Sequence, residues 1–343
     1  MRLLNRTSAF VVITFTIIAS MVPVISDASH HKNKAKKATS ESSAAAIWRR
    51  PSNMARRDLY YGPGGPEHRP QGPFKFVKED PEGTNPKFDV VDANGVTWRI
   101  KLGQEARPET AVTRLLWAAG YFVNEDYYLP TIVVEGMPKL KRGNHYVSAH
   151  GVVRGARLKR KISGEKEVGD WNWFDNPFVG TREFNGLKVM MALINNWDLK
   201  EVNNHIYKEP NGEVRYVVAD LGASFGKTGN SLTRSKDDLK GYERTKFINK
   251  TKEGEVNFVM HSRPFFLFAL DIPNYTMRAR MEKVVKDIPA TDARWLGRLL
   301  AELSRNQIED AFRAAGYSPM EVARYTDQIE IRIHELNTLP VRY

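Results

Sequence analysis

The amino-acid sequence predicts an α+β fold of two lobes, a strand-rich N-lobe followed by a mainly helical C-lobe. Three features carry this prediction. Short runs of alternating apolar residues between positions 74 and 101 are separated by turn residues, as is typical of β-strands. Residues 182–196 place apolar side chains at helical spacing, and residues 292–336 do so over a longer stretch. The strands therefore come first along the chain and the helices second.

The composition is that of a folded, basic protein. A chain of 343 residues, 41% apolar and 10% aromatic, can bury one large core or two modest lobes. Cysteine is absent, which excludes a disulfide framework, a thiolate metal site and a cysteine nucleophile. The net charge of +12 fits an anionic partner, such as nucleic acid, anionic lipid, a cell-wall polymer or a phosphorylated substrate. A solvated basic surface explains the charge equally well.

Residues 1–28 have the pattern of a secretory signal peptide. Arg2 and Arg6 precede an uncharged apolar stretch, and Ser26 and Ala28 are small residues of the kind that a signal peptidase reads. A retained membrane anchor is the alternative. We therefore expect an exported protein, and the absence of cysteine fits bacterial export better than eukaryotic secretion. Residues 29–71 are predicted to be a disordered tether and then an irregular segment that wraps over the body.

The N-lobe is predicted to span residues 72–168. The Asn94-Gly95 pair is a hairpin signal, and Pro108 and Gly120 suit the first turn and the end of a helix. The predicted helix covers residues 108–119. The predicted strands cover residues 74–78, 87–91, 96–101, 131–135 and 151–161.

Lys101 and Glu109 are candidates for a buried ion pair. Lys101 ends the third predicted strand, and Glu109 shares the apolar face of the helix with Val112 and Leu116. A carboxylate on such a face is costly unless a cation neutralises it. Glu105 competes with Glu109 for this role.

The C-lobe is predicted to span residues 169–343. A helix is predicted over residues 182–196, with Thr181 as its cap. Strands at 205–208 and 214–220 flank the turn at Asn211-Gly212 as a hairpin. Beyond Gly226 the chain is predicted to be mostly helical.

Two motifs flank this hairpin. The segment Asp198-Leu199-Lys200-Glu201-Val202-Asn203 has the spacing D-x-K-x-x-N, and Asp220-Leu221-Gly222 ends the second strand. The hairpin is expected to bring Asp220 beside Asn203. Phosphoryl transfer from ATP needs a cation on the phosphates, a carboxylate that holds this cation, a base by the acceptor hydroxyl, and metal ligands. Each has a candidate here, in the expected order.

On these motifs the chain resembles the protein-kinase-like superfamily over about residues 72–340. It is closer to divergent branches, such as HipA-type, CotH-type and secreted Golgi kinases, than to ordinary protein kinases. The resemblance implies a two-lobed kinase-like fold that binds ATP and Mg²⁺ or Mn²⁺ in the cleft between the lobes. The chain also resembles a group of bacterial exported proteins with no established activity, through residues 176–178, 180–183, 186–188 and 195–200.

The kinase resemblance also implies residue roles. Lys101 would bind the ATP phosphates and Glu109 would anchor Lys101. Asp198 would accept the proton of the acceptor, and Lys200 would steady the transferring phosphoryl group. Asn203 and Asp220 would hold the metal ion. The turn at residues 82–87 occupies the phosphate-covering position, so further nucleotide-binding candidates are Gly83, Thr84 and Lys87.

The sequence departs from the kinase pattern at several positions. Asn196-Trp197 replaces the usual His-Arg pair, Leu221 replaces a phenylalanine, and Arg99 stands where a small residue normally faces adenine. The Ala-Pro-Glu motif that usually closes the activation segment of a kinase is absent after Asp220-Leu221-Gly222. These departures leave nucleotide choice, and activity itself, open.

Several alternatives remain open. Asn204 competes with Asn203 as a metal ligand. Gly222-Ala223-Ser224-Phe225-Gly226 fits the G-x-S-x-G pattern of a serine hydrolase, with His261 or His334 as base. A third possibility is a pseudokinase or a binder of an anionic cell-envelope polymer. We expect a monomer, an unidentified protein or small-molecule phosphoacceptor, and no specific nucleic acid. The residues of the predicted basic face are Lys139, Lys141, Arg142, Arg157, Lys159, Arg160 and Lys161.

Overall fold

The structure is a computed structural model that describes residues 45–83, 85–230, 232–261 and 272–340. The predicted signal peptide, the first part of the tether and Thr84 lie outside these residues. The strands are β1 Ala45–Ala46, β2 Phe74–Asp80, β3 Lys87–Val91, β4 Thr97–Lys101, β5 Asp126–Glu135, β6 Val152–Arg160, β7 Lys166–Asp170, β8 Asn204–Lys208, β9 Val214–Val218, β10 Ile248–Lys252, β11 Glu255–Phe258 and β12 Ile288–Pro289. The helices are α1 Ala106–Ala118, α2 Arg182–Leu193, α3 Leu239–Arg244, α4 Ile272–Lys283, α5 Ala290–Leu300, α6 Arg305–Ala314 and α7 Pro319–Asn337.

The predicted α+β, two-lobed class is confirmed. Five strands of the first lobe close into a barrel in the order β2-β3-β4-β6-β5, and five of the helices follow in the second lobe after β9. Each lobe has its own hydrophobic core, one inside the barrel and one centred on α2 and the C-terminal helices. No helix among the described residues has the length and apolar character needed to cross a membrane.

Strand β4 shows how the barrel positions the site. Trp98 and Ile100 point into the barrel core, while Arg99 and Lys101 lie on the opposite face, because successive side chains of a strand alternate. The predicted hairpin with β3 is present, and the Gly95 N–H donates to the Asp92 carbonyl over 3.0 Å. Lys101 therefore ends the strand on the outer face of the barrel.

Helix α1 packs on that outer face. Its apolar side chains recur at helical spacing, as predicted, but it begins two residues earlier than expected, at Ala106. The helix ends at Ala118, and Gly120, whose φ is 95°, follows two residues later. A Cβ at Gly120 would lie 2.3 Å from the Arg49 carbonyl oxygen, so glycine is required there.

The predicted hairpin of β8 and β9 belongs to a sheet in the order β1-β9-β8-β7. The Asn204↔Val218 register places Asn203 opposite Ala219, whose N–H donates to the Asn203 carbonyl over 2.8 Å. Strand β7 was not predicted, because its sequence KEVGD is exposed throughout and has no apolar alternation.

The C-terminal part is mostly helical, as predicted, with a small sheet that was not. Helices α6 and α7 begin with capping boxes at Ser304 and Ser318, and Gly316 separates them with a φ of 76°. The unpredicted sheet is β10-β11-β12, whose central strand β11 buries Val256 and Phe258 in the C-lobe core. Four residues of β11 are too few to distinguish from other short apolar segments by periodicity.

The described part of the N-terminal segment, residues 45–71, has little regular structure beyond β1 and three single 3₁₀ turns. It is nevertheless anchored, because Ile47, Met54 and Leu59 are buried in the C-lobe core. The Gln307 side-chain amide donates to the Met54 and Arg57 carbonyls over 2.8 and 2.9 Å.

Candidate active site

Lys101 is the centre of the site. Its Nζ lies 2.7 Å from Glu105, 2.9 Å from Glu109 and 2.9 Å from Asp220. Only 4% of Lys101 is exposed. Burial alone would lower the pKa of Lys101, but the charges of Glu109, Asp220 and Glu105 raise it well above its ordinary value. These four residues, called here the Lys101 cluster, join β4, α1 and the end of β9.

Glu105 and Glu109 were alternative partners for Lys101 in the sequence analysis, and both of them pair with it. Glu109 also accepts from Arg157 over 2.5 Å, and Glu105 also pairs with Lys236 over 2.6 Å. Burial would raise the pKa of Glu105, but Lys101 and Lys236 lower it to about 2. Glu109 of α1 and Glu105, the residue before the helix, therefore each bridge two cations.

Arg157 was assigned to the basic surface in the sequence analysis, and this was wrong. It is buried, and it lies directly opposite Lys101 in the β4–β6 register. Burial would lower the pKa of Arg157, but the charges of Glu109 and Asp126 raise it. Two buried cations on neighbouring strands require a carboxylate between them, which is the signal that could have revealed this residue.

The motif at residues 198–203, called here the Asp198 loop, is held by its own polar groups. The Asp198 N–H donates to Asn196 over 3.0 Å, and the Asn203 side-chain amide donates to the Asp198 carbonyl over 2.8 Å. Lys200 Nζ lies 2.8 Å from the Asp198 carboxylate. The carboxylate and the ammonium of the predicted catalytic residues are thus in contact.

Asp220 lies beside this loop, because β8 and β9 bring Asn203 opposite Ala219. The Asp220 side chain is 42% exposed, while its Oδ1 contacts Lys101. Gly222 follows two residues later, and a Cβ there would lie 2.3 Å from the Cβ of Glu105. The glycine of the Asp-x-Gly motif thus lets α1 approach Asp220 closely.

Asn203 and Asp220 present donor atoms that suit a hard divalent cation. The hydrogen bond from the Asn203 amide group uses Nδ2, which leaves the Oδ1 atom for a ligand. Asn204 is fully buried on β8, and its amide donates to the Trp171 carbonyl over 3.2 Å. Of the two asparagines, Asn203 is therefore the one with access to the cleft.

The turn between β2 and β3 holds the remaining nucleotide-binding candidates. Gly83 has a φ of 67°, and its carbonyl accepts from Arg142. The Cα of Lys87 pairs with that of Lys101 across β3 and β4. Thr84 lies outside the described residues. The turn is thus next to the Lys101 strand, and the nucleotide-binding roles stay predictions.

The departures from the kinase pattern have structural counterparts. Leu221 is fully buried. The Trp197 indole donates to the Ser235 carbonyl over 2.8 Å, and the guanidinium of Arg234 lies 3.9 Å above the indole ring. Arg99 pairs with Asp80 and Asp89 on the cleft face of β4. Where a small residue would face adenine, this chain has an ion-pair network that the sequence analysis did not predict.

Arg107 of α1 forms a further contact between the lobes. Arg107 of α1 pairs with Asp237 over 3.0 Å and with Glu321 of α7 over 3.3 Å. Its guanidinium lies 4.2 Å from the ring centroid of Tyr317, whose hydroxyl donates to Asp237 over 2.7 Å. The N-terminal end of α1 is therefore fixed to the C-lobe.

The structure does not support the hydrolase hypothesis. Ser224 is 0% exposed, and its Oγ has no hydrogen-bond partner, so neither His261 nor His334 acts on it. A serine nucleophile needs a base within hydrogen-bond reach and access to substrate.

Comparison with known protein families and with curated proteins finds no match. Among solved structures, the chain is similar to the Helicobacter pylori proinflammatory kinase CtkA, with 10% identity and a TM-score of 0.43. That alignment covers 77% of this chain and 93% of CtkA. The chain is also similar to the amicoumacin kinase hAmiN, solved with AMP-PNP, Ca²⁺ and Ami, with 12% identity and a TM-score of 0.25. The second alignment covers 78% of this chain and 93% of that one.

Proposed function

We propose that this protein is a kinase that transfers the γ-phosphoryl group of ATP to a hydroxyl group of a protein or small molecule. The observation that carries this proposal is the Lys101 cluster, in which one buried ammonium contacts Glu109 of α1 and Asp220 at the end of β9. A cation so held, next to a loop that carries a carboxylate and an amide, is the arrangement that phosphoryl transfer requires.

The roles of the residues follow from their contacts. Lys101 binds the phosphates, while Glu109, itself held by Arg157, keeps the ammonium in place. Asp198 accepts the proton of the acceptor hydroxyl. The acceptor oxygen forms a bond to the γ-phosphorus, the bond from that phosphorus to the β–γ bridging oxygen breaks, and ADP leaves with that oxygen. Lys200, 2.8 Å from Asp198, faces the charge that develops on the transferring group.

A divalent metal, Mg²⁺ or Mn²⁺, belongs to the proposal. Asp220 and Asn203 would hold it, through a carboxylate and an amide oxygen. When bound, such an ion neutralises charge on the ATP phosphates. The chain's own contribution is to hold both ligands at the end of one hairpin, where the Ala219–Asn203 hydrogen bond fixes their spacing.

Export is a further part of the proposal, supported by the signal-peptide pattern of residues 1–28. The mature protein would act outside the cytoplasm, as a monomer, with an acceptor from that compartment. An anionic polymer of the cell envelope remains a candidate partner for the basic surface. Mass spectrometry of the protein recovered from the native host would show whether the chain begins at residue 29.

A second candidate function is nucleotide binding without transfer. Two observations favour it: the Lys101 ammonium already contacts three carboxylates, and Arg99 with its aspartate partners occupies the face expected to meet adenine. A pseudokinase would bind ATP and release no ADP.

Thermal unfolding of the full chain with ATP and Mg²⁺ or Mn²⁺ tests the proposal, since a ligand that binds the folded state raises the melting temperature. We expect a metal-dependent rise for the wild type. Asp220→Asn should abolish this rise, and Asp198→Asn should keep it while lowering ADP release by about 10²- to 10⁴-fold. Asp327→Asn, an exposed carboxylate of α7, is the control and should behave as the wild type.

The outcomes separate the two candidates. A rise in melting temperature without ADP release under any condition would identify a pseudokinase. No rise with any nucleotide would refute both.

A further inference from the structure

The loop at residues 140–144, between β5 and β6, is closed by its own hydrogen bonds. The Leu140 N–H donates to Asn144 Oδ1 over 2.8 Å, and Asn144 Nδ2 donates back to the Leu140 carbonyl. Leu140 is buried in the core of the barrel. This loop, called here the Arg142 loop, is therefore a fixed part of the first lobe, and Arg142 stands at its centre.

The Arg142 side chain holds three consecutive carbonyls of the turn between β2 and β3. Its Nη2 donates to the Pro81 and Glu82 carbonyls over 2.7 and 3.0 Å, and its Nη1 donates to the Gly83 carbonyl. A guanidinium is planar and presents its donors in a fixed fork, so carbonyls gathered on it cannot turn independently of one another. Arg142 therefore fixes the backbone of residues 81–83.

Further contacts join the Arg142 loop to the residues on either side of this turn. The Glu79 carboxylate of β2 accepts from the Lys141 N–H over 2.9 Å. Gly143 lies against Pro86, because a Cβ at Gly143 would lie 2.5 Å from the Pro86 Cγ. The Leu102 N–H donates to the Pro86 carbonyl over 3.0 Å. The turn is thus held at both of its ends as well as at residues 81–83.

The held part of the turn lies close to the strand that carries Lys101. Lys87 begins β3 and is paired with Lys101 in the register of β3 and β4, so the two side chains project from the same face of the barrel. A Cβ at Gly83 would lie 3.5 Å from the Lys87 ammonium. The backbone that Arg142 holds is therefore next to a lysine on the Lys101 face.

Holding the carbonyls also directs an N–H group of the turn. In a trans peptide unit the N–H points away from the C=O of the same unit. The Glu82 carbonyl faces Arg142, so the Gly83 N–H faces away from Arg142. Backbone N–H groups that loops present in this way bind phosphate oxygens. A side chain that holds the carbonyls on one side of the turn thus prepares the other side for an anion.

We propose that Arg142 is a positioning residue for ATP, which holds the turn between β2 and β3 in the conformation that binds the phosphates. This inference rests on the proposed kinase function, because it assigns the turn to ATP. Arg142 acts through the turn and not on the phosphates, since both of its terminal nitrogens donate to carbonyl oxygens. The conformation of the turn is thus set by a residue 59 to 61 positions further along the chain.

Calorimetric titration of the full chain with ATP and Mg²⁺ tests this role. We expect Arg142→Met to weaken ATP binding by about tenfold, because the ligand must then order the turn itself. At saturating ATP the kcat for ADP release should stay within about twofold of the wild type, since Asp198 and Lys200 are unchanged. Without ligand the variant should melt within about 2 °C of the wild type, as surface substitutions usually do.

Two further variants separate the hydrogen bonds of Arg142 from its charge. Arg142→Lys keeps the charge but lacks the planar fork, so we expect ATP binding to weaken by about threefold or more. Lys141→Met removes the neighbouring charge and keeps the backbone N–H that Glu79 accepts, so it should bind ATP as the wild type does. Wild-type affinity in Arg142→Lys, or an equal loss in Lys141→Met, would assign the effect to charge and overturn the positioning role.

Cleavage after Glu82 by a glutamyl endopeptidase reports on the turn without ATP. Proteolysis of a folded protein requires local opening, so Arg142→Met should be cut there about tenfold faster than the wild type. Lys141→Met should be cut at the wild-type rate. Equal cleavage of all three proteins would show that Arg142 does not hold the turn, and would overturn the inference.

The outcomes also separate this inference from the proposed function. If Arg142→Met binds ATP as tightly as the wild type does, the positioning role is wrong and the kinase proposal stands. If the wild type binds no nucleotide, the kinase proposal fails and the positioning role fails with it. Weaker ATP binding together with faster cleavage in Arg142→Met supports both proposals.

Discussion

The ion pairs on the two sides of the Asp198 loop differ in burial. On the α1 side, the buried Lys101 contacts three carboxylates, and Arg157 shares one of them. On the α4 side, Arg280 pairs with Glu201 over 2.6 Å, and both side chains are exposed to solvent. A buried pair that loses one member leaves an uncompensated charge inside the protein, whereas an exposed pair is screened by water and contributes little to stability. The α1 side is therefore expected to depend far more on its ion pairs.

Removing Glu109 would break the buried ion pairs of the α1 side. Glu109→Leu leaves Arg157 without its ion-pair partner and Lys101 with one fewer, inside the protein. We expect the free energy of unfolding to fall by about 3–5 kcal/mol, as for other buried pairs that lose one member. Urea unfolding measures this change.

The control for Glu109 is an exposed ion pair. Glu330→Gln removes a partner of Arg305 on the surface, and the free energy of unfolding should change by less than about 0.5 kcal/mol. A fall in the free energy of unfolding of less than about 1 kcal/mol for Glu109→Leu would mean that the ion pairs of the Lys101 cluster contribute little to stability.

Asp126 is the exception on the well-paired side. It is fully buried near Arg157, and neither carboxylate oxygen has a hydrogen bond. Burial raises the pKa of Asp126 to about 6, with the charge of Arg157 opposing and that of Glu109 adding to the shift. The folded state therefore binds this proton more tightly than the unfolded state does, and the advantage is lost as the pH rises through about 6.

The non-titrating variant Asp126→Asn isolates this effect. The free energy of unfolding of the wild type, minus that of the variant, should fall by roughly 2.5 kcal/mol between pH 4 and pH 7. Chemical denaturation at several pH values measures it. Parallel curves for the two proteins would show that Asp126 keeps an ordinary pKa.

Much of the α1 side could be predicted from the sequence, because its signals are local. Glu109 stands on an apolar helix face, and Asp198, Asn203 and Asp220 sit at fixed distances around one hairpin. The hairpin and its register follow from alternation and turn residues, which act over a few positions. The structure accordingly brings Lys101 and Glu109 into contact as expected, and it adds a contact between Lys101 and Asp220 that was not predicted.

The contacts that the sequence did not reveal join residues that are far apart along the chain. Arg157 becomes a partner of Glu109 only through the β4–β6 register, and Lys236 reaches Glu105 across 131 positions of the chain. Contacts of this kind require the tertiary fold, so strand alternation and helix spacing cannot supply them.

The bond between Arg107 and Asp237 has a consequence for control of the protein. Glu109 of α1 and Glu105, which immediately precedes the helix, are two of the three carboxylates that contact Lys101. The N-terminal end of the helix is held by Asp237, by Glu321 and by the ring of Tyr317. A switch that worked by swinging α1 away from the C-lobe would first have to break these contacts.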